Sequence, residues 1–154
     1  NPTTMPLSTR RPNKPLTLKL THLLTPLAPL YALPNGSPHP SFPTTLLAYH
    51  LLTESQIDAM ASWYHQTSPT HRYNSQYPSN MRWDKAFLAK PDPSTMSEEE
   101  MGSLLSDKER VDVKRRMVGK FIGLRGCETP IEEVGRRIKF LEDRLERSIR
   151  LERE

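Results

Sequence analysis

The most regular pattern of apolar and polar positions lies in the last part of the chain. Apolar residues recur there at intervals of three or four, which places them on one face of a helix. These positions are Ile131, Val134, Ile138, Leu141, Leu145 and Ile149. Thr129 is a suitable N-cap, Pro130 suits the first helical position, and Glu132 follows at the third. The pattern predicts a long terminal helix whose apolar face packs on a neighbouring helix.

Acidic and basic residues spaced four apart favour the same helix. An acid-first pair at this spacing stabilises a helix by ~0.2–0.5 kcal/mol. The pairs of this kind are Glu132 with Arg136, Glu133 with Arg137, Asp143 with Arg147, and Glu146 with Arg150. Ser148 and Glu152 interrupt the heptad-like rhythm of the apolar face, so a long coiled coil is not predicted.

Capping boxes predict where the earlier helices begin, because each pairs Thr or Ser with Gln or Glu three residues later. The boxes are Thr53 with Gln56, Ser97 with Glu100, and Ser106 with Glu109. The first helical region is expected to begin near Pro43, and the helix opened by Thr53 to run to about Gln66. The last of these boxes opens a basic helix that Gly126 is placed to stop.

The N-terminal segment has a different character, because ten of the fifteen prolines lie within residues 2–43. Each proline fixes its own φ, lacks a backbone donor and biases its predecessor toward extended geometry, so no long helix is expected there. The same segment carries eight leucines between residues 16 and 33. Two interpretations stay open: these leucines form a strap that docks into grooves of a partner, or they cover the protein's own helices.

These patterns together predict a mainly α protein, with a small helical body, a long terminal helix and an extended Pro-rich N-terminal segment. The predicted organisation is a basic tail over residues 1–43 and a helical region over 44–154, with an irregular loop at about 67–95. Aromatic residues in and before the loop can form a small core that ties it to the first helix. Trp63 and Trp83 are the favoured members of that core.

Composition limits what this chain can do alone. Its hydrophobic fraction is 35% of 154 residues, below the ~45–50% usual for globular domains. Ordering every residue costs backbone entropy that a small core cannot offset, so a partner is expected to help order the chain. No apolar run approaches the ~18 residues of a membrane span, so membrane insertion is not expected. The single cysteine, Cys127, excludes an internal disulfide and favours a reducing compartment.

Motifs that carry catalysis are missing from the sequence. It has no nucleophile elbow, no phosphate-binding glycine loop and no histidine pair at metal-ligand spacing. Cys127 stands beside Glu128, whose negative charge disfavours an activated thiolate. We therefore expect a protein that is not an enzyme, with no cofactor, no metal and no small-molecule substrate.

Basic and aromatic residues supply the remaining chemistry. Residues 1–53 contain four basic residues and no acidic one, an opening typical of the region after an organellar transit peptide. Cations neutralise phosphates, and arginines and aromatic rings stack on unpaired bases. The sequence therefore predicts RNA contacts from the tail, the loop and the basic helix. The predicted contact residues are Arg10, Arg11, Lys14, Lys19, Arg72, Tyr73, Arg82, Arg115, Arg116, Lys120 and Arg125.

Two short strings, WYHQ at residues 63–66 and FIGLRGC at residues 121–127, followed by the helix start at residues 129–133, resemble a lineage-specific mitochondrial ribosomal protein family of filamentous fungi. The resemblance covers about the second two-thirds of the chain. It implies a peripheral, non-catalytic ribosomal subunit in the mitochondrial matrix that binds ribosomal RNA and neighbouring ribosomal proteins, with the large subunit favoured. The alternative from the residues themselves is an accessory or assembly subunit of a respiratory complex.

Overall fold

The computed structural model describes residues 14–154, and in this range the protein is mainly α, as predicted. Its helices are α1 (Lys14–Leu23), α2 (Leu46–His50), α3 (Glu54–Trp63), α4 (Glu98–Ser103), α5 (Asp107–Phe121) and α6 (Ile131–Arg153). Extended pairing within this range is limited to an isolated antiparallel bridge between Pro26 and Thr45. None of the described helices is both long enough and apolar enough to cross a membrane.

The predicted capping boxes are confirmed at the starts of α3, α4 and α5. In each box the Thr or Ser side chain accepts from the third backbone NH, and the Gln or Glu side chain accepts from the cap residue's own NH. Thr45 caps α2 in a simpler way, through a hydrogen bond from the Ala48 NH to its hydroxyl at 3.1 Å. Local side-chain chemistry therefore fixes where these helices begin.

The core lies between α3 and α5, which pack against each other. Ile57 and Met60 of α3 and Val118 of α5 are almost fully buried. Tyr64, just after α3, contacts the rings of Tyr77 and Phe121 at centroid distances of 5.9 and 5.7 Å. These contacts join the loop to both helices, so an aromatic core of the predicted kind exists, and it is built around Tyr64 and Tyr77.

Trp63 is the incorrect member of the predicted aromatic core. It is 39% exposed, and its indole NH donates to the Ser37 carbonyl at 3.0 Å. The neighbouring Tyr64 faces inward instead, because successive helical residues point in directions about 100° apart. Trp83 is half-buried, and the Lys114 ammonium lies 5.4 Å from its ring centroid.

The irregular loop between α3 and α4 is held by hydrogen bonds from the side chain of Gln66, which is fully buried. The Gln66 amide donates to the carbonyls of Tyr64 and Asn74, and its oxygen accepts from the Met81 NH at 2.9 Å. Three buried hydrogen bonds from one side chain replace the regular pairing that the loop lacks. The loop therefore has a defined conformation although it contains no regular secondary structure.

Within the Pro-rich segment, for which no long helix was expected, residues 14–23 form the ten-residue helix α1. Pro15 lies in the first turn, where its missing NH matters little, and no proline follows until Pro26. Some leucines of this segment cover the protein's own helices, and others are left exposed, as docking to a partner requires. Leu27, Leu30 and Leu33 pack on the protein's own core, whereas three of the four leucines on α1 and the leucine directly after it are more than half exposed. The exposed ones are Leu16, Leu18, Leu20 and Leu24.

Two predicted helix boundaries are wrong. α5 ends at Phe121 and is closed by Gly123, which has a φ of +83°, so the left-handed turn comes before Gly126. α6 starts at Ile131 with no side-chain cap. The Thr129 hydroxyl does not cap it, and instead accepts a hydrogen bond from the Lys120 ammonium.

α6 meets the body through a different face from the one predicted. Its regular apolar stripe is exposed, with Leu141 at 58% and Leu145 at 61%. The buried positions are Phe140 and Glu133, which lie about 130° around the helix from the stripe, at 100° per residue. Phe140 packs edge-on against Phe87 at 5.5 Å. The helix is therefore anchored by one aromatic and by polar contacts, and the apolar stripe has no cover within residues 14–154.

Candidate nucleic-acid interface

A cleft between α5, the start of α6 and residues 79–82 brings together predicted contact residues from separate segments. We call it the α5–α6 cleft. Its volume is about 600 Å³. Arg82 comes from the loop, and Arg116 and Lys120 come from successive turns of α5. Local sequence patterns did not indicate that these side chains would share one concave surface, because the loop has no regular periodicity.

A second cleft lies on the other side of α5, against α2 and the turn that follows α5. This α2–α5 cleft has a volume of about 290 Å³ and includes Arg115 and Arg125 of the predicted set, together with His22 and His50. Arg116 lines both clefts. The C-terminal half of α5 therefore forms a basic ridge between two concave surfaces.

Two of the predicted contact residues are partly neutralised. Arg116 pairs with Glu133 of α6 at 2.6 Å, which is a strong charge-assisted contact. Arg115 lies 3.5 Å from Asp112 and also donates to the Leu52 carbonyl at 3.0 Å. Both side chains are less than one-third exposed. Both arginines join neighbouring elements. Because carboxylates lie close to them, they raise the positive potential at the surface less than unpaired arginines would.

The other described cations of the predicted set have no carboxylate within ion-pairing distance among residues 14–154. They are Lys14, Lys19, Arg72, Arg82, Lys120 and Arg125. All are exposed. Lys14 and Lys19 lie on α1, outside both clefts. Arg10 and Arg11 lie outside the described residues.

Arg72 and Tyr73 form a separate small site on the loop. The Arg72 guanidinium lies 4.6 Å from the Tyr73 ring centroid and donates to the Tyr73 hydroxyl at 2.7 Å. Tyr73 also lies beside the stacked rings of His65 and His71, whose centroids are 4.2 Å apart. This exposed group of rings and one cation has the chemistry for stacking on an unpaired base, but it is not part of either cleft.

Lys114 is not part of the basic surface of α5. Its side chain is only 4% exposed, and it pairs with Glu54 at 2.9 Å and with Asp58 at 2.7 Å. Arg110 joins the same cluster through Glu54 at 2.7 Å. The buried cluster links α3 to α5, and it is a structural feature that helical periodicity alone did not reveal.

This cluster holds the pKa of the Glu54 carboxyl far below its ordinary value, from 4.5 to about 2. The main cause is hydrogen bonding from Arg110, with a further hydrogen bond from Lys114, while burial acts in the opposite direction. Glu54 therefore stays ionised through the neutral range, and the carboxylates of Glu54 and Asp58 together face the two buried cations.

The arginines of α6 reach across to other elements instead of pairing along their own helix as predicted. Only the pair of Glu133 with Arg137 is found, at 3.4 Å. Arg136 pairs with Glu109 at 3.3 Å, Arg150 approaches Glu99, and Arg147 donates to the Ser103 hydroxyl. Arg137 also lines the α5–α6 cleft. These contacts attach α6 to α4 and α5, whereas ion pairs within α6 would stabilise only the helix itself.

Tyr49 and Cys127 line the α2–α5 cleft and pack closely against Gly119 of α5. The Tyr49 hydroxyl donates to the Arg115 carbonyl at 2.8 Å and lies 3.5 Å from the Cys127 sulfur. Burial, reinforced by Cys127, raises the pKa of the Tyr49 hydroxyl. Cys127 is a buried free thiol. The Tyr49 hydroxyl thus stays uncharged at neutral pH, and the arginines of this cleft supply its positive charge.

No group of three or more His, Cys, Asp or Glu side chains within residues 14–154 is arranged to hold a metal ion. No protein-family model, curated protein or solved structure matches the chain. The functional argument therefore rests on the geometry and charge of the clefts and of the exposed helices.

Proposed function

We propose that this protein is a non-catalytic structural constituent of the mitochondrial ribosome, with the large subunit favoured. In this role it contacts ribosomal RNA through its cationic clefts and loop, and it contacts neighbouring ribosomal proteins through its exposed apolar helices. Its location is the mitochondrial matrix. The observation that carries the proposal is the presence of both kinds of open surface on one small helical body.

The RNA part of the proposal is supported by cations that the fold leaves unpaired. Arg82 and Lys120 stand at one cleft and Arg125 at the other, with no carboxylate partner in residues 14–154. Each phosphate neutralised by such a cation releases counterions, which favours binding at moderate salt. A polyanion that spans α5 can engage both clefts at once.

The protein part is supported by apolar surface that residues 14–154 do not cover. The α6 stripe forms one continuous helix face, and the exposed leucines on and after α1 add further apolar surface, with every one of these side chains more than 40% exposed. Contiguous apolar surface of this kind marks contacts with other proteins. A subunit embedded among other proteins covers these faces and gains the burial that its own small core lacks.

The same exposed apolar helices also suit the alternative role, an accessory or assembly subunit of a respiratory complex. That role needs no RNA and makes no use of the unpaired cations at the clefts. Dependence of particle association on those cations therefore discriminates between the two functions.

The test compares two sets of neutralising substitutions for association with mitochondrial ribosomal particles across a salt series. The first set changes the tail, loop and α5 cations to Gln. These are Arg10, Arg11, Lys14, Lys19, Arg72, Arg82, Arg115, Arg116, Lys120 and Arg125. The second set, the control, changes Arg136, Arg137, Arg147 and Arg150, which already have partners on this chain.

We expect the first variant to lose association as salt rises and the control to retain most of it. Because Arg115 and Arg116 also make structural contacts, a version that leaves them intact checks that the loss is not due to unfolding. Loss of association only in the α6 variant would contradict the assignment of the RNA surface.

A further inference from the structure

The α5–α6 cleft has walls of two kinds. Its floor is apolar and is formed by Met81, Val113 and Met117, all at most 7% exposed. Its rim carries Arg82 and Lys120, both exposed. The volume of about 600 Å³ falls in the range of about 300–1,000 Å³ typical of pockets that enclose small organic groups. The cleft thus suits a ligand with a flat apolar part and an anionic part.

The charges inside the cleft leave a net positive field at its rim. Its lining carboxylate, Glu133, is already paired with Arg116 at 2.6 Å and with Arg137 at 3.4 Å. Lys120 is held by the Thr129 hydroxyl, a neutral partner. Arg82 has no carboxylate partner within residues 14–154. An anion entering the cleft therefore meets cations that no internal acid balances.

The floor favours an aromatic group. Met81 and Met117 both line the cleft, and the sulfur of methionine makes favourable contacts with aromatic rings. A nucleobase has such a ring, and in RNA it is joined to a phosphate at the distance of one sugar. The acidic side chains of a peptide carry a carboxylate but no aromatic ring, so they would not contact the apolar floor.

The backbone of Arg82 is unusual and helps to place this side chain at the rim. Its φ is +51°, in the left-handed region where glycine is preferred. Asn80 holds the turn by accepting from the Arg82 NH at 2.6 Å, while its own amide donates to Asn74. A residue with a large side chain in this backbone conformation lowers the stability of the fold. Strained residues of this kind cluster at binding sites.

We propose that the α5–α6 cleft seats one unpaired nucleotide of single-stranded RNA, with its phosphate between Arg82 and Lys120 and its base on the methionine floor. This inference rests on the proposed RNA-binding function and adds the form of RNA that this cleft takes. A base inside a duplex is already stacked and paired, so it cannot reach the floor, and only its phosphates would contact the rim.

The experiment measures binding of the purified full chain to three fluorescein-labelled probes of equal length. They are a single-stranded RNA, an RNA duplex, and a ribose-phosphate oligomer without bases. We expect the single strand to bind about fivefold or more tightly than either of the others, because a stacked base adds affinity that phosphates alone do not. Equal affinity for the three probes would overturn the proposal while leaving RNA binding intact.

A matched pair of substitutions on α5 locates the effect. Lys120→Gln removes a rim cation and Lys108→Gln removes an exposed cation near the opposite end of the same helix. Lys120→Gln should weaken binding of the single strand and lower the slope of log affinity against log salt by about one. Lys108→Gln should change neither. Identical effects of the two substitutions would contradict a nucleotide at this cleft.

Arg82→Gly adds a readout that separates binding from folding. Glycine adopts the left-handed backbone without strain, so the melting temperature should be unchanged or higher, while affinity for the single strand falls. Loss of both affinity and stability would instead make Arg82 a structural residue and overturn its assigned role. If the unsubstituted chain binds none of the probes at low salt, the RNA part of the proposed function fails as well.

Discussion

Gly119 lies where α5 passes closest to α2 and the turn that carries Cys127. A Cβ atom at this position would meet the Cys127 sulfur and would lie 2.5 Å from the Tyr49 hydroxyl oxygen, which is fixed by its bond to the Arg115 carbonyl. The GxxxG spacing of Gly119 and Gly123 thus serves two purposes, because Gly119 permits close packing and Gly123 ends the helix.

Gly119→Ala should destabilise the protein by about 1–3 kcal/mol through overpacking. Gly135→Ala is the matched control, since nothing lies within 4 Å of its added Cβ and alanine favours a helix interior. The control should stabilise by roughly 0.5–1 kcal/mol. Urea unfolding measures both changes, and destabilisation of equal size at the two sites would contradict the packing described at Gly119.

Glu54 gives the fold a defined dependence on pH. Its folded-state pKa of about 2 lies below its ordinary value of 4.5, so its stabilising effect is complete above about pH 4.5 and is lost as the pH falls through about 2. Glu54→Gln should lower the free energy of unfolding by about 3 kcal/mol at pH 7. It should also reduce the acid dependence of stability between pH 4.5 and 2.

The control for this prediction is Glu146→Gln, at an exposed position on α6. Urea unfolding at pH 7 and at pH 3 supplies the comparison. If Glu54→Gln and Glu146→Gln have the same effect at both pH values, the buried ion cluster does not stabilise the fold.

The anchoring of α6 makes neighbouring residues respond differently to truncation. Phe140 is 4% exposed and packs on Phe87, whereas Leu141 is 58% exposed. Phe140→Ala should lower the free energy of unfolding by about 3–5 kcal/mol. Leu141→Ala should change it by roughly 0.5 kcal/mol or less in the free protein, yet weaken association with the ribosomal particle. A larger loss at Leu141 in the free protein would mean that this chain covers the stripe itself.

The sequence predicted helix starts well and helix contacts poorly, for a physical reason. Capping boxes act within four residues, so Thr53, Ser97 and Ser106 could be found from local spacing. The apolar stripe of α6 identified a helix but not its partner, because a partner outside the chain produces the same periodicity. Phe140, the real anchor, lies off the stripe.

The candidate site shows the same limit of local information. Arg82 and Lys120 are 38 residues apart in sequence numbering and meet only through the folded loop. Lys114 looks equivalent to Arg115 and Arg116 in the sequence, but α5 turns it toward Glu54 and Asp58. Ion pairs between residues far apart in the sequence determine which cations remain without a carboxylate partner. Such pairs produce no regular spacing along the sequence.

At the scale of the whole molecule, residues 14–154 leave both apolar helix surfaces and unpaired cations uncovered. A free globular protein gains nothing from exposing α1 leucines and the α6 stripe, whereas a subunit between RNA and protein uses both surfaces. The small core around Tyr64 and the buried Glu54 cluster hold these surfaces in place. Assembly into a ribonucleoprotein is therefore the central claim.

Sedimentation of a mitochondrial lysate at high magnesium tests this claim most directly. The protein should migrate with the ribosomal particles and large-subunit RNA, and nuclease treatment should shift it toward lighter fractions together with other ribosomal proteins. Migration with the respiratory complexes, unchanged by nuclease, would contradict the account and favour the alternative role.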